Sequence, residues 1–130
     1  MPLTRISLRA GTSPDYRAAL IRGVYDALRE TFAVPEDDLF ALIHEHDEAG
    51  FAFGRHYLGI ARDADLVLIQ ITANATRTTD QKRALYSAIA ERLGRDPGVR
   101  PGNVFVNLVE VAPENWSFGD GLMQYGPPAA

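Results

Sequence analysis

The stretch RISLRAGTSPDYRAALIRGVYDAL, residues 5–28, and the stretch QITANATRTTDQKRALYSAIAERL, residues 70–93, read as two versions of one design. At a constant offset of 65 positions, Ile6 and Ser7 fall on Ile71 and Thr72, and Ser13 and Asp15 on Thr78 and Asp80. Ala19, Leu20, Val24 and Leu28 fall on Ala84, Leu85, Ile89 and Leu93. Further out, Phe40, Ile43 and Glu45 fall on Phe105, Leu108 and Glu110. One offset shared by a strand, a helix start, a helix stripe and a second strand predicts an internal repeat, residues 1–62 and 63–130, inside a single domain.

Each half reads as strand, helix, strand. Thr4, Ile6 and Leu8 alternate with Arg5, Ser7 and Arg9, the period of a half-buried strand. Ser13-Pro14 then supplies a capping hydroxyl and a ring pre-set for a first helical turn. Ala19, Leu20, Gly23, Val24, Ala27 and Leu28 make one apolar stripe, and Val34-Pro35 stops it. Leu39 to His46 is the next expected strand. In the second half a β-branched run lies within Ala64–Thr72, Thr78 and Gln81 form a capping box, and Val104 to Glu110 closes the unit. Strand–helix–strand units of this length pair their strands in parallel. The predicted fold is therefore α+β: two tandem β-α-β units, a four-stranded sheet and two helices on one face. Phe51 to Leu58 is expected as a short linking strand or turn. The glycines and prolines after Ala112 predict a C-terminal hairpin and a frayed tail. The sheet face without helices must be buried elsewhere, so an oligomer is expected.

Composition narrows the function. The 130 residues are 46% hydrophobic and 23% charged, and contain no cysteine. A folded domain without disulfides or thiolate metal sites is implied. A net charge of −4 argues against nucleic-acid and anionic-membrane partners. No apolar run approaches a membrane span, and the opening segment is not basic-then-apolar, so a cytoplasmic address is expected.

Five features could carry chemistry. Met1-Pro2 is the first: methionine is normally excised before a small residue, leaving proline with a free, rigidly held secondary amine. An apolar pocket would lower its pKa and suit it to general-base work, and a nearby carboxylate would keep it protonated as an acid. Proline is also an ordinary second residue, and if Met1 stays, the Pro2 nitrogen is an amide. Arg77 stands just before the second helix, where free N–H groups already favour anions, and its fork suits a carboxylate; it could equally be a solvated loop arginine. Asp38, in the pair Asp37-Asp38, could take a proton or orient water, or be plain turn chemistry. Trp116-Ser117-Phe118-Gly119 puts aromatic rings on a glycine-rich loop, able to wall a cavity or plug a subunit contact. His44 and His46 share one strand face, as some metal sites require, but half-exposed strand histidines are the more frequent outcome.

These pieces together resemble the tautomerase superfamily, and within it the malonate semialdehyde decarboxylase group. The resemblance rests on Met1-Pro2-Leu3, Val34-Pro35 leading to Asp38, Ile43-His44-Glu45-His46, Leu58-Gly59-Ile60-Ala61-Arg62, Ile69-Gln70-Ile71-Thr72, Gln81-Lys82 and Trp116-Ser117-Phe118-Gly119. It implies a homotrimer, no metal and no cofactor, and a small oxo-acid substrate. It also implies that mature Pro2 is the catalytic amine, that Asp38 assists carbonyl or water chemistry, that Arg77 binds the substrate carboxylate, and that Trp116 and Phe118 wall the pocket. One departure stands out. Decarboxylase relatives carry a first arginine where this chain has Ala73-Asn74-Ala75-Thr76, so Asn74 is left to offer a neutral hydrogen bond. Keto–enol tautomerisation needs only the amine and one anchor, and decarboxylation stays open. The rival expectations are a non-catalytic trimeric binding protein and a hydratase or dehalogenase of 3-haloacrylates.

Overall fold

A computed structural model describes residues 1–129. Strand β1 (Leu3–Arg9) buries Thr4, Ile6 and Leu8 and exposes Arg5 and Arg9, as its alternation requires. Helix α1 (Pro14–Phe32) starts where the Ser13 hydroxyl accepts from the Tyr16 N–H at 3.1 Å. It ends at Ala33, which takes the left-handed conformation (φ 53) just ahead of Val34-Pro35. Strand β2 (Ala41–His46) completes the first unit. Strand β3 (Val67–Asn74), helix α2 (Thr79–Arg95) and strand β4 (Val104–Val111) form the second. The two helix caps, Ser13 and Thr78, stand 65 positions apart.

The sheet order is β2-β1-β3-β4, parallel within each unit and antiparallel where β1 meets β3. Both helices lie on one face. Leu20, Val24 and Leu28 of α1 meet Leu85, Ile89 and Leu93 of α2 over Ile6, Leu8, Ile69 and Ile71 of the central strands. The other face is open. It carries exposed Leu42, Phe105 and Val109 around a polar middle, where Arg5 meets His44 at 3.2 Å and Gln70 bonds Asn107 at 3.2 Å. No helix among the described residues is long and apolar enough to cross a membrane.

Three expectations need correction. The strand expected from Leu39 starts at Ala41, and the one expected over Ala64–Thr72 runs from Val67 to Asn74. The segment Phe51–Leu58 takes the turn alternative and forms no strand: a 3₁₀ turn at Glu48–Gly50 precedes it and another at Tyr57–Gly59 overlaps its end, consistent with the glycines that punctuate it. No hairpin follows β4 among the described residues: a 3₁₀ turn at Pro113–Asn115 leads into further turns. A side chain there supplies the bonds that a second strand would have made. The Phe118 N–H donates to Gln124 Oε1 at 2.9 Å, and Gln124 Nε2 donates back to the Gly119 carbonyl at 3.0 Å.

The capping box at α2 holds the loop that leads to it. Thr78 Oγ1 accepts from the Gln81 N–H at 3.1 Å, and the Gln81 side chain accepts from the Thr78 N–H at 2.9 Å. Thr78→Ala is expected to cost about 1 kcal/mol, read as a lower urea midpoint at unchanged slope.

Candidate active site

Two ladders of the sheet converge on the start of the chain. The parallel register pairs Thr4 with Ala41, and the antiparallel one pairs Leu3 with Thr72. Continued to the first residue, they set Met1 opposite Asp38 on one side and Asn74 on the other. The Thr4 N–H donates to the Phe40 carbonyl at 2.9 Å and carries the first ladder towards Asp38. The Met1 ammonium pairs with the Asp38 carboxylate, the two side chains only 10% and 13% exposed. Pro2 is buried behind it, its nitrogen an amide bonded to Met1. Pro2, Thr4, Tyr25, Asp38 and Phe40 help line a cavity of about 10 Å³ beneath α1.

Arg77 reaches this place from the β3–α2 loop. One guanidinium nitrogen donates to the Phe32 carbonyl at 3.1 Å, and the guanidinium carbon lies 4.8 Å from the centre of the Phe32 ring. Phe32 ends α1, where carbonyls lack helical partners and the dipole is negative, so a cation is stabilised there. Arg77 thus bridges the end of one helix and the beginning of the other. Burial lowers its pKa, yet an arginine stays cationic at any ordinary pH.

That cation shapes the amine. Burial first, and then the charge of Arg77, lower the terminal amine from 8.0 to about 6. The Asp38 carboxylate pulls the opposite way, since an adjacent anion favours the ammonium. An amine balanced between these influences changes protonation close to neutrality, where acid–base catalysis is most effective.

The aromatic loop closes on Asn74. Trp116 Nε1 donates to Asn74 Oδ1 at 2.8 Å, so the indole uses the amide's acceptor and leaves its N–H groups for another partner. Trp116 stacks on Phe118 with ring centres 5.3 Å apart, and Tyr125 meets Phe118 edge-on at 4.9 Å. Asn74 is consequently the link between the aromatic group and the chain start, which it faces across the β1–β3 register.

The structure brings the chain start, Asp38 and Arg77 together, and ties Asn74, Trp116 and Phe118 into a second group beside them. Asp37, the other half of the acidic pair, is exposed. His44 and His46 lie apart from both groups, on Arg5 and against the Phe51 ring (5.8 Å) respectively. Among the described residues no three acidic or histidine side chains cluster as a metal centre would need. Sequence reasoning missed Phe32, Tyr25 and Tyr125. The first two read as helix residues, and nothing in the spacing of the tail pointed to Tyr125. An amine of adjustable protonation, a carboxylate beside it, a fixed cation and an aromatic wall suit proton transfer on a small anion.

Two family models, each described as tautomerase enzyme, match the chain, one over residues 38–119 and one over residues 2–61. A probable tautomerase of Bacillus subtilis (strain 168), YusQ, is 39% identical over 124 residues, covering 95% of this chain and 98% of that protein. A second from the same organism, YrdN, is 31% identical over 96% of each. Among solved structures, FG41 malonate semialdehyde decarboxylase inhibited by 3-bromopropiolate superposes with a TM-score of 0.89 at 36% identity, over 95% of this chain and 93% of the other. At 22% identity, a fused 4-OT wild-type symmetric trimer shares the fold alone, with a TM-score of 0.77 over 92% of this chain and 94% of that one.

Proposed function

The chain belongs to the tautomerase family, and from that premise we propose that it is a cofactor-independent enzyme acting on a small oxo-carboxylic acid through the amine of mature Pro2. Keto–enol tautomerisation is the core activity, with decarboxylation of a 3-oxo acid such as malonate semialdehyde as the second. One observation carries this reading: the two sheet registers set the chain start between Asp38 and Asn74, within the electrostatic reach of Arg77. The likeness to a malonate semialdehyde decarboxylase supports the substrate class. We further propose a homotrimer in the cytoplasm. The open sheet face with its exposed Leu42, Phe105 and Val109, and the trimeric form of a relative in fold, support that assembly.

In this mechanism Arg77 holds the substrate carboxylate, helped by the Asn74 amide N–H groups and the free N–H groups at the start of α2. For a 2-oxo acid, the neutral Pro2 amine removes a proton from C3. The C–H electron pair becomes the new C=C bond, the carbonyl pair moves onto oxygen, and the ammonium returns the proton there as the enol. For a 3-oxo acid, the protonated amine instead donates to the carbonyl oxygen. The bond to the carboxylate then breaks, CO2 leaves, and its electron pair is held in the enol until carbon takes up a proton. Trp116, Phe118 and Tyr125 keep bulk water from the reacting atoms.

The two reactions need opposite protonation states of one amine, which supplies the test. C–H exchange should fall as pH drops through the amine pKa, and CO2 release should fall as pH rises through it. Asp38→Asn removes the anion that favours the ammonium, so the pKa must move down, by about 1 unit. Exchange should then persist to lower pH, and CO2 release at neutral pH should drop roughly tenfold. A panel of oxo acids showing neither exchange nor CO2 release would overturn the proposal, and an unmoved profile would remove Asp38 from it.

A further inference from the structure

We propose that Tyr25 is a positioning residue for Asp38, its hydroxyl donating to that carboxylate through one water held in the cavity they share. The inference rests on the reading of Asp38 given above and deepens it.

Tyr25 lies on α1, one residue past the core position Val24. Its hydroxyl oxygen is buried and has no hydrogen-bond partner among the described residues. It is the one side-chain polar atom among them in that condition, and a stranded buried hydroxyl is costly enough to need a reason. The Arg29 guanidinium lies over the ring, 5.7 Å from its centre. Asp38 has the complementary shortage. An ionised carboxylate offers about four acceptor positions. Among the described residues the terminal ammonium is its only partner. Tyr25 and Asp38 both line the cavity of about 10 Å³ beside Pro2, at the lower limit of the space a single water requires. A donor without an acceptor and an acceptor short of donors thus border one water-sized space.

The consequence is electrostatic. A donor on Asp38 disperses its charge and weakens its hold on the ammonium; removing the donor strengthens that hold. Tyr25→Phe should therefore raise the pKa of the mature Pro2 amine by about 0.5 unit, the opposite direction to Asp38→Asn. At a fixed pH on the acid limb of C–H exchange this is a roughly threefold loss of rate, with KM unchanged.

The experiment is a nitrogen NMR titration of mature Pro2, without substrate, in the wild type, Tyr25→Phe, Asp38→Asn and the double variant. The expected result is an upward shift with Tyr25→Phe that vanishes in the Asp38→Asn background. An unmoved titration in Tyr25→Phe, accompanied by a higher melting temperature, would identify the hydroxyl as merely stranded and overturn the inference. Should Tyr25→Phe fold poorly, 3-fluorotyrosine at the same position keeps the shape and strengthens the donor. It must then shift the titration downwards, and no shift overturns the inference equally. A wild-type titration unchanged by Asp38→Asn would overturn the reading of Asp38 itself, and this inference with it; a flat Tyr25→Phe beside an effective Asp38→Asn overturns only the inference.

Discussion

Blocking the amine of mature Pro2 is expected to lower kcat/KM for a small oxo acid between about a hundredfold and ten-thousandfold, the range that one positioned acid–base group supplies. Acylation turns the nitrogen into an amide, whose lone pair is delocalised and no longer basic. The reagent can be aimed. The chain has a single lysine, Lys82, whose ammonium lies 2.6 Å from Glu110. Burial and the Arg77 charge lower the pKa of an amine at the chain start, so the Pro2 amine should react at a lower pH than a lysine side chain. Intact mass then counts the acyl groups, peptide mapping locates them, and the remaining rate should fall in step with the Pro2 fraction modified. A chain that keeps Met1 should resemble the blocked one, because the Pro2 nitrogen is then an amide as well. Pro2→Ala presents a primary amine at the same place and should lose less than the blocked protein. Full activity after complete acylation would end the role of the amine.

Arg77→Ala should cost about 3 kcal/mol of transition-state stabilisation with a carboxylate substrate, close to a hundredfold in kcat/KM. Most of this should appear in KM if the guanidinium holds the carboxylate equally well before and during reaction. Arg77 also bonds the Phe32 carbonyl and covers the Phe32 ring, so the same variant should lose about 1 kcal/mol of stability. Arg77→Lys separates the two effects. It keeps the charge but not the fork, and should recover part of the binding while leaving the packing defect. Turnover unchanged by Arg77→Ala would remove the anchor.

Elements were legible in the sequence because their signals are local. Ser13-Pro14 and the Thr78–Gln81 box are helix starts that need no knowledge of the rest of the chain. The stripe from Ala19 to Leu28 likewise has one way to face a sheet. What escaped was whatever depends on a partner distant in sequence. Asp38 was a candidate from its acidic pair, with plain turn chemistry as the alternative; that it meets the chain start follows from the β1–β2 register, which no local pattern states. Asn74 was expected to offer a neutral hydrogen bond to substrate, and the structure adds that its oxygen is already engaged by Trp116, more than forty positions away. The tail looked frayed because its glycines and prolines carry no strand period. Gln124 orders it through two side-chain bonds that composition does not reveal. Phe32 carried no signal in the sequence, and its carbonyl gained a role only when Arg77 folded over it.

The second unit opens at Val67, in mid-chain, where the first opens at the chain's own beginning. Asn103 stands 65 positions after Asp38, and instead of an ammonium it serves Asp63: its Nδ2 donates to the carboxylate at 2.8 Å and its Oδ1 accepts from the backbone N–H at 3.0 Å. Proteolytic trimming of an initiator can never liberate a nitrogen at Val67. The architecture is near-symmetric while the amine proposed to react is single, so under that proposal there is one reactive amine per polypeptide however many copies assemble. The second half contributes side chains instead: Asn74, Arg77, Trp116 and Phe118 all lie in it.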